Sequence, residues 1–212
     1  MEGIYLIDKP SGITSFDVIR QLRTRLGIRK MGHAGTLDPL ASGLMIIGVG
    51  SGTKALTEYI KLPKTYEARI RLGIRTDTGD TEGEVVASAE VGEVSDEKII
   101  EVLKSMEGEV VLPVPAYSAI KQGGVPLYKK ARAGEKVEVP ERRMRIEEAV
   151  YQGREENDLH VVFSVGSGAY IRSLAEELGA RLGYPATLAG LRRTRIGDFS
   201  IENAQLIDEV YI

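Results

Sequence analysis

The residues best suited by type and spacing to do chemistry lie in one stretch, Gly32-His33-Ala34-Gly35-Thr36-Leu37-Asp38-Pro39-Leu40-Ala41-Ser42-Gly43. It holds one of the chain's two histidines and an aspartate fixed in front of a proline. Pro39 restricts Asp38 to extended or turn backbone. The flanking glycines allow positive φ and close approach of another backbone or a ligand. A carboxylate on a stiff loop between two buried elements can act as a nucleophile or meet a developing positive charge. An ordinary Asp-Pro turn uses the same residues, so the composition of the stretch leaves both readings open.

The elements that must position this loop follow from periodicity. Gly3 to Ile7 reads as a buried strand, ending at the turn Asp8-Lys9-Pro10-Ser11-Gly12. Thr14 or Ser15 caps a helix running to Leu26, with Phe16, Ile19, Leu22 and Leu26 as its apolar face and Gly27 as its stop. Leu44 to Val49 is a second buried strand, and Thr53 to Ile60 a short helix. Thr65 to Gly73 alternates, with Tyr66, Ala68, Ile70 and Leu72 on one side. Thr76 to Gly83 is a loop rich in side-chain acceptors. Ser95 caps a helix with Ile99, Ile100, Leu103 and Met106 inside.

Pro113 to Lys121 runs extended or irregular, and Pro126 to Ala133 forms a short helix. Arg142 to Tyr151 and Leu159 to Val165 read as strands joined by a polar turn. Ala169 to Leu182 is a helix striped by Ile171, Leu174, Leu178 and Leu182. A short tail from Ala186 carries a basic cluster at Leu191 to Arg195. Strands and helices mix without strict alternation, which predicts an α+β fold.

Composition narrows the chemistry. Cysteine is absent among the 212 residues, which excludes disulfides and thiolate metal sites. Imidazole could come only from His33 and His160, and no carboxylate cluster suggests a metal centre. The N-terminus has no signal pattern and no apolar run reaches about 18 residues, so a cytoplasmic protein is expected. The net charge of −3 hides an asymmetry: through Arg75 there are twelve Lys and Arg against six Asp and Glu, and from Asp77 to Glu109 two against eleven. Local basic patches on an acidic background still neutralise phosphates.

Several of these stretches together resemble the TruB family of tRNA pseudouridine synthases along nearly the whole chain. Asp8-Lys9-Pro10-Ser11-Gly12-Ile13-Thr14-Ser15 is similar to the family's first motif, and Gly32 to Gly43 to its catalytic motif. Lys64-Thr65-Tyr66 and Arg75-Thr76-Asp77-Thr78-Gly79-Asp80 resemble two further blocks at the site. Gly168-Ala169-Tyr170-Ile171-Arg172 and Leu191-Arg192-Arg193-Thr194 resemble the last two. Two positions depart from the pattern: Ala34 stands where members usually have threonine, and Ser167 where they usually have lysine.

The resemblance implies a pseudouridine-synthase fold, with a central, mostly antiparallel mixed sheet flanked by helices and loops. It implies one catalytic domain over residues 1–212, an RNA-gripping insertion at 113–143, and no C-terminal RNA-binding domain of the PUA type. The implied reaction isomerises uridine 55 in the T loop of tRNA, without cofactor or metal. Asp38 would act at C1′ of a flipped nucleotide, Arg172 would orient that carboxylate, and Tyr66 would stack on the base. His33 would fill the space left by the flipped nucleotide. Asp80 would orient Tyr170 or Arg172, Leu191 would line the uracil pocket, and Lys9, Arg20 and Lys30 would reach phosphates. Lys121, Lys129, Lys130, Arg132, Arg142 and Arg143 would grip the T arm. The expected partner is tRNA, bound by a monomer, with no membrane, guide RNA or obligatory protein partner.

Three rival readings are weaker. A guide-dependent, dyskerin-type synthase would carry the extra C-terminal domain. An RNA chaperone would not need Asp38, Tyr66 and Arg172 together. A carboxylate glycosidase would need two acids flanking a sugar bond.

Overall fold

Strand β1 (Gly3–Lys9) ends where Pro10 removes a backbone donor. A capping box then opens helix α1 (Ser15–Leu26): the Asp17 amide donates to the Thr14 hydroxyl, and the Thr14 amide donates to the Asp17 carboxylate. Gly27 closes α1 at φ 66°, in the left-handed region. The computed structural model describes residues 2–135 and 137–211, and continues through β2 (Met31–His33), β3 (Ser42–Val49), a 3-10 turn (Gly50–Ala55) and α2 (Leu56–Ile60). There follow β4 (Lys64–Leu72), β5 (Ile74–Thr76), β6 (Val85–Ser88), α3 (Asp96–Met106) and β7 (Gly108–Pro113). The middle of the chain forms β8 (Lys121–Gln122), β9 (Val125–Pro126), α4 (Leu127–Arg132), β10 (Glu141–Glu155) and β11 (Asp158–Val165). Last come α5 (Ile171–Leu182), β12 (Ala186–Ile196) and β13 (Phe199–Ser200).

The chain divides into two compact units. The first comprises Met1–Glu67, Ser164–Ser167 and Leu191–Ile212, the second Ala68–Phe163 and Gly168–Gly190. In the first unit the strands lie in the order β1-β3-β12, with β2 on β3 and β13 on β12. β1 runs antiparallel to β3 from Gly3 opposite Val49 to Lys9 opposite Gly43, whereas β12 meets β3 in parallel at Arg192–Ser42 and Arg193–Gly43. Ala34, Leu44, Ile46, Leu56 and Ile196 form its apolar centre, extended by an edge-on contact of Tyr59 with Phe199 at 5.3 Å.

The second unit takes the strands in the order β4-β11-β10-β7. β7 and β10 are antiparallel, and two small hairpins, β5–β6 and β8–β9, are added. Helix α3 packs on β10 and α5, burying Ile99, Val102, Leu103 and Met106. Helices with mostly antiparallel strands give the expected α+β class.

Some expectations need correction. Phe16 is 60% exposed, because Ser15 turns inward and rotates its neighbour out of the stripe; Val18 takes the inner place. Ile100 is likewise exposed and Val102 replaces it, since 99, 102, 103 and 106 follow the helical period. The short tail from Ala186 is an eleven-residue strand, β12. Strand β2 forms within the stretch expected to be loop, and β6 and β7 add strands to those expected.

Candidate active site

In the first unit, the loop between β2 and β3 carries Asp38 and is held by residues far away in sequence. Lys9 is wholly buried and its Nζ donates to the carbonyls of Pro10 (2.9 Å), Ala41 (2.6 Å) and Pro39 (3.4 Å). Ser11 Oγ donates to the Leu40 carbonyl at 2.7 Å, and the Gly12 amide donates to the Pro39 carbonyl at 2.8 Å. Ser15 Oγ donates to the Leu37 carbonyl (2.9 Å) and accepts from the Leu37 amide (2.8 Å). Within the loop the Ala41 amide donates to the Asp38 carbonyl at 3.1 Å. Peptide groups on both sides of Asp38 are thus bonded, which fixes the backbone that presents its carboxylate.

The last basic block closes the same loop from the other side. Arg193 is 1% exposed; its Nε donates to the Leu44 carbonyl at 2.8 Å and its Nη2 to the Gly35 carbonyl at 3.2 Å. Arg192 grips Asp8 with two bonds, at 2.7 and 3.2 Å. Two separated motifs, Asp8 to Ser15 and Leu191 to Thr194, therefore converge on a third, Gly32 to Gly43, which holds the Asp38 loop.

Cations crowd this region. Lys64 is buried, and its Nζ donates to the carbonyls of Ile60 (2.6 Å) and Leu62 (2.5 Å). Burial, and then the nearby Arg193 guanidinium, push the Lys64 ammonium down to about 8. The same two causes, burial first, push the His33 imidazole below its ordinary value. His33 closes β2, half-buried and opposite Ile47. Tyr66 is buried on the same face of β4 as Lys64, and Leu191 lies two residues before Arg193 on β12.

The second unit holds the remaining expected residues. Arg172 is buried in the first turn of α5, where its Nη1 donates to the Thr78 carbonyl (2.7 Å) and its Nη2 to the Tyr117 carbonyl (3.1 Å). Its Nε lies 3.9 Å from Oδ2 of buried Asp80. Asp80 Oδ1 accepts from the Thr78 hydroxyl (2.8 Å) and the Glu82 amide (3.1 Å). The loop is pinned to β12 by the Leu188 amide donating to the Gly79 carbonyl and the Thr81 amide donating to the Leu188 carbonyl, both at 3.0 Å. Tyr170, the residue before α5, is half-buried and its amide donates to Met144 Sδ at 3.4 Å. Burial raises the Glu176 carboxyl, one turn on from Arg172, against the opposing pull of Arg75 and Arg172.

Asp38, Tyr66, His33, Lys9 and Leu191 thus belong to the first unit, and Asp80, Tyr170 and Arg172 to the second. Lys9 differs from expectation: its ammonium is enclosed by loop carbonyls rather than presented to phosphate. Ala34 packs in the apolar centre, so its methyl faces the core and not a ligand. Ser167 is exposed and donates to the Ile60 carbonyl at 2.7 Å. Arg20 and Lys30 are exposed, as are Lys121, Lys129, Arg132, Arg142 and Arg143. Residue 136 of the expected insertion lies outside the described residues.

Lys64 and Ser15 were missed by periodicity alone. The signal for Lys64 was present: counting back two from Tyr66 places it on the buried face. Among the described residues, no group of three His, Cys, Asp or Glu could hold a metal ion, and no helix is long and apolar enough to cross a membrane.

Comparison with known proteins relates the chain to a family. The sequence model for the N-terminal domain of TruB family pseudouridylate synthases matches residues 23–171. A tRNA pseudouridine synthase B from Corynebacterium efficiens is 43% identical over 206 residues, covering 95% of this chain and 69% of the relative. One from Leifsonia xyli is 44% identical over 209 residues, again covering 95% of this chain and 69% of the relative. Among solved structures, the chain is similar to one in a Cbf5-Nop10-Gar1 complex, with 29% identity and a TM-score of 0.77 over 98% of this chain. It spans 53% of that longer chain. The family match and relatives above 40% identity lead to one conclusion: the chain belongs to the TruB family of pseudouridylate synthases.

Proposed function

We propose that this chain isomerises uridine to pseudouridine in tRNA, at position 55 of the T loop. The observation that carries the proposal is the Asp38 loop, held on both sides by buried donors from Lys9, Ser15 and Arg193, in a chain of this family. In the reaction the bond between ribose C1′ and uracil N1 breaks, the base turns, and C1′ joins C5, whose proton leaves while N1 gains one. Asp38 meets the positive charge developing at C1′, as nucleophile or as anion. Arg172 orients that carboxylate, and Tyr66 offers a flat face to the base, a stacking worth about 1–3 kcal/mol. Exposed cations of the 113–143 segment and of α1 contact phosphates and set affinity rather than sequence choice. A cytoplasmic location suits a tRNA substrate.

A chain in an H/ACA RNP bound to a substrate RNA containing 2'-deoxyuridine is 27% identical. The relatives named tRNA pseudouridine synthase B reach 43–44%, which favours action on tRNA. The test is release of tritium from C5-labelled uridine in an unmodified tRNA transcript, with the product position mapped. Release at position 55 that vanishes in Asp38→Asn supports both substrate and nucleophile. Binding without release in the unaltered chain overturns the proposal.

A further inference from the structure

Arg193 is among the largest fully buried side chains of the protein. A guanidinium taken out of water costs several kcal/mol unless paired. Arg193 instead has the Lys64 ammonium as a neighbour, whose pKa is lowered by burial first and by the Arg193 charge second. Its guanidinium donates to main-chain carbonyls, those of Leu44 and Gly35. A side chain needed only to fill this space would be apolar, since replacing buried ions by apolar groups is often neutral or stabilising.

The two carbonyls have one property in common. Gly35 lies at the entrance and Leu44 at the exit of the loop that carries Asp38. The Arg193 main chain meets the same loop, paired with Gly43 across the parallel β12–β3 contact. Gly43 has φ 107°, and a Cβ there would stand 2.3 Å from the Arg193 carbonyl oxygen. One residue therefore fixes the loop at three points: backbone at Gly43, Nε at Leu44, Nη2 at Gly35. A planar guanidinium suits this task because its donors hold a fixed angle to each other, whereas an ammonium does not.

We propose that Arg193 is a positioning residue for catalysis, a rigid strut that sets the distance between the two ends of the Asp38 loop and so the place of its carboxylate. It acts through the loop and not on the substrate. The proposal rests on the reading of Asp38 as the reacting group.

The test compares Arg193→Lys and Arg193→Met with the unaltered chain and with Asp38→Asn. Single-turnover tritium release, the dissociation constant for the tRNA transcript, and amide hydrogen exchange of the 34–45 segment are measured together. Misplacement of a reacting group by about 1 Å costs about 10²-fold in rate. A loss of that order is expected in Arg193→Lys, with RNA affinity changed less than about threefold, faster exchange in the loop, and unchanged exchange in α3. Guanidinium added to Arg193→Met is expected to restore part of the rate. If Arg193→Met does not fold, Arg193→Lys alone decides.

A wild-type rate in Arg193→Lys overturns the proposal, as does a rate loss matched by lost RNA affinity. An active Asp38→Asn overturns the reading of Asp38 itself, a result distinct from either.

Discussion

Ser15 and Leu37 exchange two hydrogen bonds through a single hydroxyl, at 2.9 and 2.8 Å, and Leu37 is the residue before Asp38. The first residue of α1 thereby ties the helix to the loop that presents the carboxylate. The same inward turn of Ser15 explains why Phe16 faces solvent. Removing the hydroxyl leaves a buried amide and carbonyl without this partner, and each such group costs about 1–3 kcal/mol. Ser15→Ala is expected to lower the free energy of unfolding by about 2 kcal/mol, read as an earlier urea midpoint with unchanged slope. Turnover of tRNA should fall as well. An unchanged midpoint would show that water or the Leu37 peptide itself satisfies these groups.

Gly43 offers a second probe of the same loop. Its φ of 107° disfavours any side chain, and a Cβ would overlap the Arg193 backbone at 2.3 Å. Gly12 has a similar φ of 87° with nothing within 4 Å, so it isolates the conformational cost. Gly12→Ala is expected to cost about 1–3 kcal/mol, the ordinary range for such strain. Gly43→Ala should cost distinctly more. Equal losses in the two variants, measured by denaturant unfolding, would remove the close approach from the account.

Lys64 makes stability depend on pH in a particular direction. Its pKa is lowered from the ordinary 10.5 to about 8, so between these values the unfolded chain binds the proton and the folded chain does not. Stability therefore rises with pH across that window and is lower on the acid side. The unaltered chain should gain on Lys64→Met between about pH 8 and 10.5, followed by thermal melting in matched buffers. Parallel curves for the two proteins would show that Lys64 titrates normally.

Asp80 separates charge from hydrogen bonding. Asp80→Asn keeps an oxygen acceptor for the Thr78 hydroxyl and the Glu82 amide, but loses the negative charge 3.9 Å from Arg172. Asp80→Ala loses both. The alanine variant is expected to be less stable than the asparagine variant by about 1–3 kcal/mol, while both lose activity to a similar extent. Full activity in Asp80→Asn would mean that the charge does not help hold Arg172.

The helices were legible because their ends carry chemical signals. Thr14 with Asp17 opens α1, Ser95 opens α3, and Gly27 and Gly183 close α1 and α5. β4 was legible because one face is wet and one is dry. β12 was not, because Ala186 to Ala189 are buried on both faces and Arg192, Arg193 and Arg195 then resemble a solvated stretch. The Asp38 stretch was found by its residue types. What holds it was not: Lys9 and Arg193 are cations, which sequence reading sends to solvent or phosphate, and only tertiary structure supplies the carbonyls that make their burial tolerable.

The interleaving of the two units has a consequence for how the protein is made. Arg193 and Leu44, joined by one of the bonds that close the Asp38 loop, are 149 residues apart in the chain. A ribosome emits the loop well before β12, with nearly all of the second unit in between. During synthesis the nascent loop therefore waits without its strut, and helix α1 can reach it through Ser15 long before β12 exists. Neither unit is a contiguous stretch of the gene, so neither could have been acquired or lost as a module by a single recombination event.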